Sequence, residues 1–258
     1  MNPRRRNATR FTAWPLWPLG NPTELGIIRW SDLEYETMVK VRKLFKTYGG
    51  KPVLKELDFE VEEGERVYIL APNGFGKTTF LKVLANIEPF QKGEIEVFGI
   101  KSPSHKIRAM ISYISERDNL YPGFRIIDIL RFISGFWEID RSKFENFLSL
   151  LKINPLKLKR YSEFSKGERT LIRVALGLSI KAKIYLIDEP LSSLDFVLRE
   201  KVVKLLGEME GGTFILTSHE IDELLPFANR FVFLKDGKFF LESRDRDKVK
   251  DIYREVFA

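Results

Sequence analysis

The sequence predicts an α/β protein with a mixed sheet as its core and a helical insert between the two halves of that core. Three observations support this fold class. Short apolar runs typical of buried strands recur along the chain and are separated by helical patterns. Residues from about 124 to 160 change to a helical period, with apolar side chains three and four positions apart. Asp236-Gly237 lies between two apolar runs, which is typical of a β-hairpin.

The regular pattern begins at Met38, and the residues before it differ from the rest of the chain. They contain three of the four tryptophans, three consecutive arginines and several prolines, without a sustained strand or helix period. We therefore predict an N-terminal extension over 1–37, outside the fold and dispensable for folding, and one domain over 38–258. A membrane-surface arm formed by Trp14, Trp17 and the arginines is the alternative for this extension.

The predicted elements follow in order along 38–258. A half-buried strand comes first, because apolar and charged residues alternate from Val39 to Phe45. The other predicted strands lie at 53–61, 66–70, 94–100, 110–115, 184–187 and 213–216, and predicted helices lie at 77–86, within 124–160, at 197–210 and from Glu220.

The composition is that of a globular protein and excludes several functional classes. With 44% hydrophobic and 31% charged residues in 258, the chain is neither disordered nor fibrous. It has no cysteine, which excludes disulfide scaffolds and cysteine nucleophiles, and its two histidines exclude an imidazole-rich zinc site. No apolar run is long enough to span a bilayer as a helix. The net charge of +7 favours anionic ligands or surfaces.

Residues 71–79 predict a phosphate-binding loop, because they follow a buried strand and open a helix. Gly74 and Gly76 let backbone N–H groups approach a phosphate chain, while Lys77 supplies charge and Thr78 a hydroxyl ligand for Mg²⁺. Ala71 stands where such loops usually have glycine, and Phe75 where they have a small residue. An ordinary strand-to-helix turn is the alternative. The predicted nucleotide-binding residues here are Asn73, Gly74, Phe75, Gly76, Lys77, Thr78 and Thr79.

Two carboxylates, Asp188 and Glu189, follow the apolar strand at 184–187. Asp188 is placed to hold Mg²⁺ through water, and Glu189 to polarise an attacking water. A solvated acidic turn is the alternative. The combination with Lys77 and Thr78 favours a nucleotide-hydrolysing site.

A third motif makes the prediction specific, and with it the sequence resembles the ATP-binding cassette (ABC) ATPases. The signature Leu-Ser-Gly-Gly-Gln of that family is represented at 164–168 by Phe-Ser-Lys-Gly-Glu, at the start of a helix ahead of Asp188. Residues 192–195, Ser-Ser-Leu-Asp, are similar to the family's D-loop, and His219 is similar to its switch histidine.

The resemblance covers essentially 39–240 and implies a P-loop NTPase fold of ABC type. Such a fold adds an antiparallel β subdomain to the mixed core and has a helical subdomain, here at about 117–163. The resemblance also implies that two cassettes enclose ATP between them. Signature residues Ser165, Gly167 and Glu168, together with Asp195, would then face the nucleotide bound by the other cassette, and the resemblance makes His219 catalytic beside Glu189.

Two further site residues follow from the resemblance. Tyr48 lies where the family places an aromatic ring that stacks on adenine, and a simple turn tyrosine is the alternative. Residues 111–116 resemble the family's Q-loop but end in Glu116 instead of glutamine. Since a carboxylate can ligate a hard cation, Glu116 joins Thr78 and Asp188 as a predicted Mg²⁺ ligand. A side chain directed to solvent is the alternative.

The function implied is an ATP-hydrolysing subunit that powers transport through a separate membrane permease. Such a subunit is peripheral on the cytoplasmic face of the membrane, pairs with an identical or paralogous cassette, and has no nucleic-acid partner. The compact insert from Tyr121 to Tyr161 is similar to that of exporter ATP-binding subunits of the drug, polysaccharide or haem type, and this resemblance favours export. The alternatives are a soluble ABC ATPase without a permease, and a degenerate cassette with weak turnover, suggested by Ala71, Lys166 and Glu116. The filled positions Glu189 and His219 argue against the degenerate cassette.

In this family, a groove beside the Q-loop receives a short cytoplasmic helix of the permease. Apolar side chains on the helical insert are the predicted anchors for that helix. The alternative is that they form the insert's own core. The candidates are Leu120, Tyr121, Pro122, Phe132, Phe136 and Trp137.

Overall fold

The structure is a computed structural model that describes residues 37–153, 159–192, 194–218 and 221–257. Residues 1–36 of the predicted extension lie outside the described residues, as do Ser193 of the D-loop segment and the predicted catalytic His219. Within the described residues, Thr37 already pairs with Glu62, so the folded pattern begins one residue before Met38.

The elements alternate between strands and helices along the chain. The strands are β1 (Thr37–Tyr48), β2 (Lys51–Glu62), β3 (Arg66–Leu70), β4 (Lys92–Val97), β5 (Ile100–Lys101), β6 (Ile111–Ile114), β7 (Ile184–Asp188), β8 (Thr213–Thr217), β9 (Arg230–Lys235) and β10 (Lys238–Ser243). The helices are α1 (Lys77–Leu84), α2 (His105–Met110), α3 (Ile126–Ile133), α4 (Arg141–Leu150), α5 (Lys166–Ser179), α6 (Phe196–Gly207), α7 (Ile221–Leu224) and α8 (Val249–Phe257), with a 3-10 turn at Tyr161–Glu163.

Two sheets organise the described residues, as the fold class predicted. The core sheet has the order β10-β9-β3-β8-β7-β6, in which β9, β3, β8, β7 and β6 run parallel and β10 is antiparallel. The second sheet, β2-β1-β4-β5, is antiparallel throughout. Helices α3 and α4 lie between β6 and α5 in the chain, at the place predicted for the helical insert. The mixed core with an antiparallel subdomain is therefore confirmed.

The single strand predicted at 94–100 is wrong. β4 ends at Val97 and β5 begins at Ile100, and these two residues pair across a tight turn. The turn residues Phe98 and Gly99 have φ of 50° and 69°, a left-handed conformation that phenylalanine rarely adopts. Apolar residues continue through the turn as Val97, Phe98 and Ile100, so the sequence shows no polar break between the two strands. Helices α2 and α8 were also not predicted.

A buried ion-pair network holds the edge of the core sheet together. Glu65, directly before β3, is 6% exposed. Its carboxylate accepts hydrogen bonds from Arg230 of β9 at 2.9 Å, from Arg244 at 2.6 Å and from the Glu62 backbone N–H at 3.1 Å. Burial acts to raise the pKa of Glu65, but these partners outweigh it and hold the pKa below its usual value.

Glu65→Gln is expected to lower the free energy of unfolding at neutral pH by about 1–3 kcal/mol, because Arg230 and Arg244 each lose a charged partner, although Arg230 keeps Glu242. A depressed carboxyl pKa contributes stability that is present above the unfolded-state pKa and is lost as the pH falls through the folded-state pKa. The variant and the original chain should therefore converge in acid. Urea unfolding at neutral and acidic pH, with the exposed neighbour Glu63→Gln as control, measures this. A constant difference at every pH would contradict the prediction.

Candidate nucleotide-binding site

The candidate site lies at one edge of the core sheet, where three adjacent parallel strands end. β3, β8 and β7 are neighbours in the sheet and end in Leu70, Thr217 and Asp188. Because parallel strands have their carboxyl ends at the same edge, the segments that follow them converge there. The phosphate-binding loop predicted at 71–76 follows β3 and opens α1, as expected.

The backbone conformation of this loop requires glycine at positions 74 and 76. Gly74 and Gly76 have φ of 85° and 102°, in the left-handed region that favours glycine. A Cβ atom at Gly76 would also lie 3.0 Å from Val53 Cγ1. Gly76 directly precedes α1, so the first N–H groups of that helix are free to receive an anion.

Lys77 and Glu189 form a buried ion pair across the site. The Lys77 Nζ lies 3.2 Å from Glu189 Oε1, and the two side chains are 5% and 7% exposed. The same ammonium donates to the Ala71 carbonyl at 2.8 Å. Loops of this kind usually begin with glycine. Ala71 does not prevent this hydrogen bond, because the acceptor is its backbone carbonyl.

The Asp188 carboxylate accepts hydrogen bonds from hydroxyl groups on three elements. Thr78 donates to Oδ1 at 3.0 Å, Thr217 donates to the same oxygen at 2.8 Å, and Tyr113 donates to Oδ2 at 3.0 Å. Asp188 is 1% exposed, and burial raises its pKa above the ordinary value, although the three hydrogen bonds act in the opposite direction. Burial and the neighbouring charge of Asp188 likewise raise the pKa of Tyr113.

These oxygen donors suit Mg²⁺. Thr78 Oγ1 and the Asp188 carboxylate are already in contact, and hard oxygen ligands of this kind hold Mg²⁺ together with substrate phosphates. The burial that raises the Asp188 pKa also favours a cation at this carboxylate, since a positive ion offsets the cost of a buried negative charge. The third predicted ligand, Glu116, is exposed and accepts a hydrogen bond from Ser192 at 3.2 Å. Its charge contributes, after burial and the charge of Asp188, to the raised pKa of Tyr113.

Tyr48, the predicted adenine platform, ends β1 and is 45% exposed. Its hydroxyl donates to Glu88, and the Lys46 ammonium lies 4.5 Å from the ring centroid. Burial and the Glu88 carboxylate raise the pKa of Tyr48, whereas the Thr79 hydroxyl acts to lower it. The ring is thus positioned beside the first turn of α1, with nearly half of its surface open to a ligand.

The signature residues make local contacts at the start of α5. The Ser165 Oγ accepts from the Glu168 N–H at 3.2 Å, while the Ser165 N–H donates to the Glu168 carboxylate at 2.7 Å. This reciprocal cap leaves the helix N-terminus at the surface, because Ser165 is exposed. A Cβ atom at Gly167 would lie 2.3 Å from Leu198 Cδ1, so glycine there allows α6 to approach closely.

The D-loop residue Asp195 caps the next helix. Its carboxylate accepts from the Leu198 N–H at 2.9 Å, and the two residues that follow, Phe196 and Val197, are 69% and 60% exposed.

Sequence reasoning missed two residues of the site, Thr217 and Tyr113. Both donate to Asp188, and both lie on strands next to the strand that carries it. The available signal was a hydroxyl-bearing side chain at the last position of β8 and at the position before the last of β6. That signal is interpretable only once the strand order is known.

A glycine-lysine-threonine loop between β3 and α1, facing an Asp-Glu pair at the end of β7, defines a P-loop nucleotide-binding protein. Comparison with known proteins gives the family. The family profile described as ABC transporter matches residues 54–192. The chain belongs to the ABC transporter family and has the fold of its ATP-binding cassettes.

Individual relatives support the same assignment. The uncharacterized ABC transporter ATP-binding protein MJ1023 of Methanocaldococcus jannaschii is 33% identical over 226 residues, 84% of this chain and 80% of that protein. The spermidine/putrescine import ATP-binding protein PotA of Spiroplasma citri is 30% identical over 210 residues; the match covers 78% of this chain and only 59% of PotA. A dimeric post-hydrolysis structure of the cassette MJ0796, bound to ADP and phosphate, has 27% identity and a TM-score of 0.70, with 80% of this chain and 98% of that chain covered.

Proposed function

We propose that this chain binds and hydrolyses ATP with Mg²⁺ and thereby powers transport through a separate membrane permease. The observation that carries this proposal is the position of Lys77 and Thr78 opposite the Glu189 and Asp188 carboxylates, with Nζ to Oε1 at 3.2 Å and Oγ1 to Oδ1 at 3.0 Å. These four side chains supply a phosphate-binding charge, two metal ligands and a general base at one edge of the sheet.

The buried ion pair indicates which contact a bound nucleotide would replace. Lys77 neutralises Glu189 in this ion pair, and the γ-phosphate of a bound nucleotide would replace that carboxylate as the partner of the ammonium. Glu189 has φ of 47°, a left-handed conformation held by donation of its N–H to the Thr217 carbonyl at 3.0 Å. The strained backbone keeps the released carboxylate at the strand end, where it can accept a proton from water. Thr78 and Asp188 would hold Mg²⁺, which would neutralise part of the negative charge of the phosphates.

A second cassette, identical or paralogous, completes the proposed site. The signature cap at Ser165 and the D-loop at Asp195 lie at the surface, next to the exposed Phe196 and Val197. The dimeric arrangement of the related cassette MJ0796 supports this role for the exposed surface. We carry Ser165, Gly167, Glu168 and Asp195 to that interface as proposals, together with His219 as a contact to the γ-phosphate.

The proposed permease contact is an aromatic ladder on the helical insert. Tyr121 stacks on Phe124 at 5.1 Å between ring centroids and meets Phe132 edge-on at 5.2 Å, and Phe132 meets Phe136 at 5.3 Å. Phe124 and Phe136 are 40% and 37% exposed. Leu120, by contrast, is buried in the core, and it borders the proposed contact only as part of the groove wall beside the ladder.

Beside the ladder lies a mostly apolar groove of about 130 Å³, lined by Leu120, Ile133, Trp137 and Arg173 among others. Arg173 is only 9% exposed, and its Nε has no hydrogen-bond partner among the described residues. Burial lowers the pKa of this guanidinium. We therefore propose that the groove receives a cytoplasmic segment of the permease with apolar anchors and a carboxylate that pairs with Arg173.

Phe136→Glu is expected to abolish assembly with the permease while ATP binding by the isolated chain stays unchanged, because Phe136 lies on the surface of the insert. The measurement is co-purification of the full chain from its native membrane, with the captured subunit identified. Phe240→Glu, at a phenylalanine that is 48% exposed on β10, is the matched control and should retain assembly. Unfolding of Phe136→Glu would place the ladder in the core, and capture of no membrane protein by the original chain would favour the soluble ABC ATPase.

The proposed location is the cytoplasmic face of the membrane, through the permease. None of the helices in the described ranges has the length and apolar character needed to cross a bilayer. The preference for export predicted from the compact insert is not supported, since the Spiroplasma citri relative is an import protein. We propose transport without that preference.

A further inference from the structure

The C-terminal helix α8 lies against the phosphate-binding loop. The ring of Phe257 meets the ring of Phe75 edge-on, with 5.8 Å between centroids and 89° between planes. Phe75 is the bulky residue at a loop position that usually holds a small one. The structure therefore connects this departure from the usual motif to a contact outside the loop.

Helix α8 is firmly attached at both of its ends. Val249 at its start is fully buried, and the Val256 carbonyl near its end accepts a hydrogen bond from Lys235 of β9 at 2.7 Å. Tyr253 packs on Phe257 with 4.7 Å between ring centroids. Because α8 is attached to β9, the core sheet fixes the position of the Phe257 ring that contacts Phe75.

Lys77 restrains the start of the loop through its hydrogen bond to the Ala71 carbonyl, and Phe75 is the apolar side chain in the middle of the loop. Phe75 lies between Gly74 and Gly76, which have no side chain and adopt φ of 85° and 102°. A contact of the Phe75 ring is therefore the means by which side-chain packing can hold this part of the backbone.

We propose that α8 is a positioning element of the nucleotide site, in which Phe257 acts through Phe75 to hold the backbone N–H groups of the loop in the arrangement that receives phosphates. A loop without this contact must be ordered when nucleotide binds, which weakens binding. The proposal rests on nucleotide binding by this chain alone. It does not depend on a permease or on transport.

The test is calorimetric titration of the full chain with ATP and with ADP, each with Mg²⁺. Phe257→Ala is expected to weaken both nucleotides by about three- to tenfold, the range of an edge-on aromatic contact. Hydrolysis at saturating ATP should stay within about twofold, since no group near the reacting atoms changes. Phe257→Tyr, which keeps the ring, should bind like the original chain, and so should the matched control Phe240→Ala.

A double-mutant cycle with Phe75→Ala separates this contact from general destabilisation. If Phe257 acts through Phe75, the double variant should bind little worse than either single variant. Unchanged affinity in Phe257→Ala, or losses that simply add in the double variant, would overturn the proposal. Should Phe257→Ala not fold, Phe257→Leu keeps an apolar side chain without the ring edge, and the same two outcomes decide.

Discussion

Glu189→Gln is expected to slow ATP hydrolysis by about two to four powers of ten, the range attributed to a positioned general base. The amide keeps nearly the same shape but cannot accept the proton of the attacking water. Lys77 keeps its hydrogen bond to the Ala71 carbonyl at 2.8 Å, so phosphate binding should survive. Two copies of the chain should then remain closed around ATP.

Phosphate release and size-exclusion chromatography with ATP and Mg²⁺ measure these two effects. Glu94→Gln, at an exposed glutamate in β4, is the matched control and should hydrolyse ATP normally. A Glu189→Gln protein that stays monomeric at every concentration would argue against the two-cassette site. One that hydrolyses ATP at the original rate would remove Glu189 from the mechanism.

The second large effect is expected at Lys77, in stability as well as in binding. Lys77→Ala should abolish ATP binding, and it should lower the free energy of unfolding of the nucleotide-free chain by about 3 kcal/mol. The physical reason is that the buried Glu189 carboxylate loses the ammonium 3.2 Å away. Glu189→Gln should cost less, because it leaves no buried negative charge.

The pair is tested by urea unfolding of Lys77→Ala, Glu189→Gln and the double variant, all without nucleotide. The double variant should be more stable than Lys77→Ala, since neutral glutamine does not need the ammonium. Two losses of equal size that add in the double variant would show that the ion pair does not stabilise the nucleotide-free site.

Much of the fold follows from local pattern. The alternation in β1, the apolar run of β3 and the hairpin at Asp236-Gly237 each give a signal within a few residues, and the structure has these elements. Where a local signal was weak, prediction failed. The turn at Phe98-Gly99 has no typical turn residue before its glycine, and α2 is only six residues long, too short for a helical period.

In the candidate site, too, some residues could be predicted from local pattern and others could not. Lys77 and Thr78 are recognisable because loop chemistry requires glycine, charge and hydroxyl at adjacent positions, and Asp188 and Glu189 because they end an apolar strand. The partners of these residues are far away in the chain. Tyr113 and Thr217 reach Asp188 only because β6 and β8 both lie next to β7.

The class of fold, the phosphate-binding loop, the carboxylate pair and the resemblance to ABC ATPases could be predicted from the chain, because each depends on residues close together in it. The pairing of Lys77 with Glu189, the three hydroxyl groups around Asp188 and the contact of Phe257 with Phe75 became visible only in the folded molecule. The physical reason is that such contacts depend on strand order and helix packing, which bring together side chains separated by up to 182 positions, from Phe75 to Phe257. The spacing of residues along the chain does not indicate which distant residues come into contact in the fold.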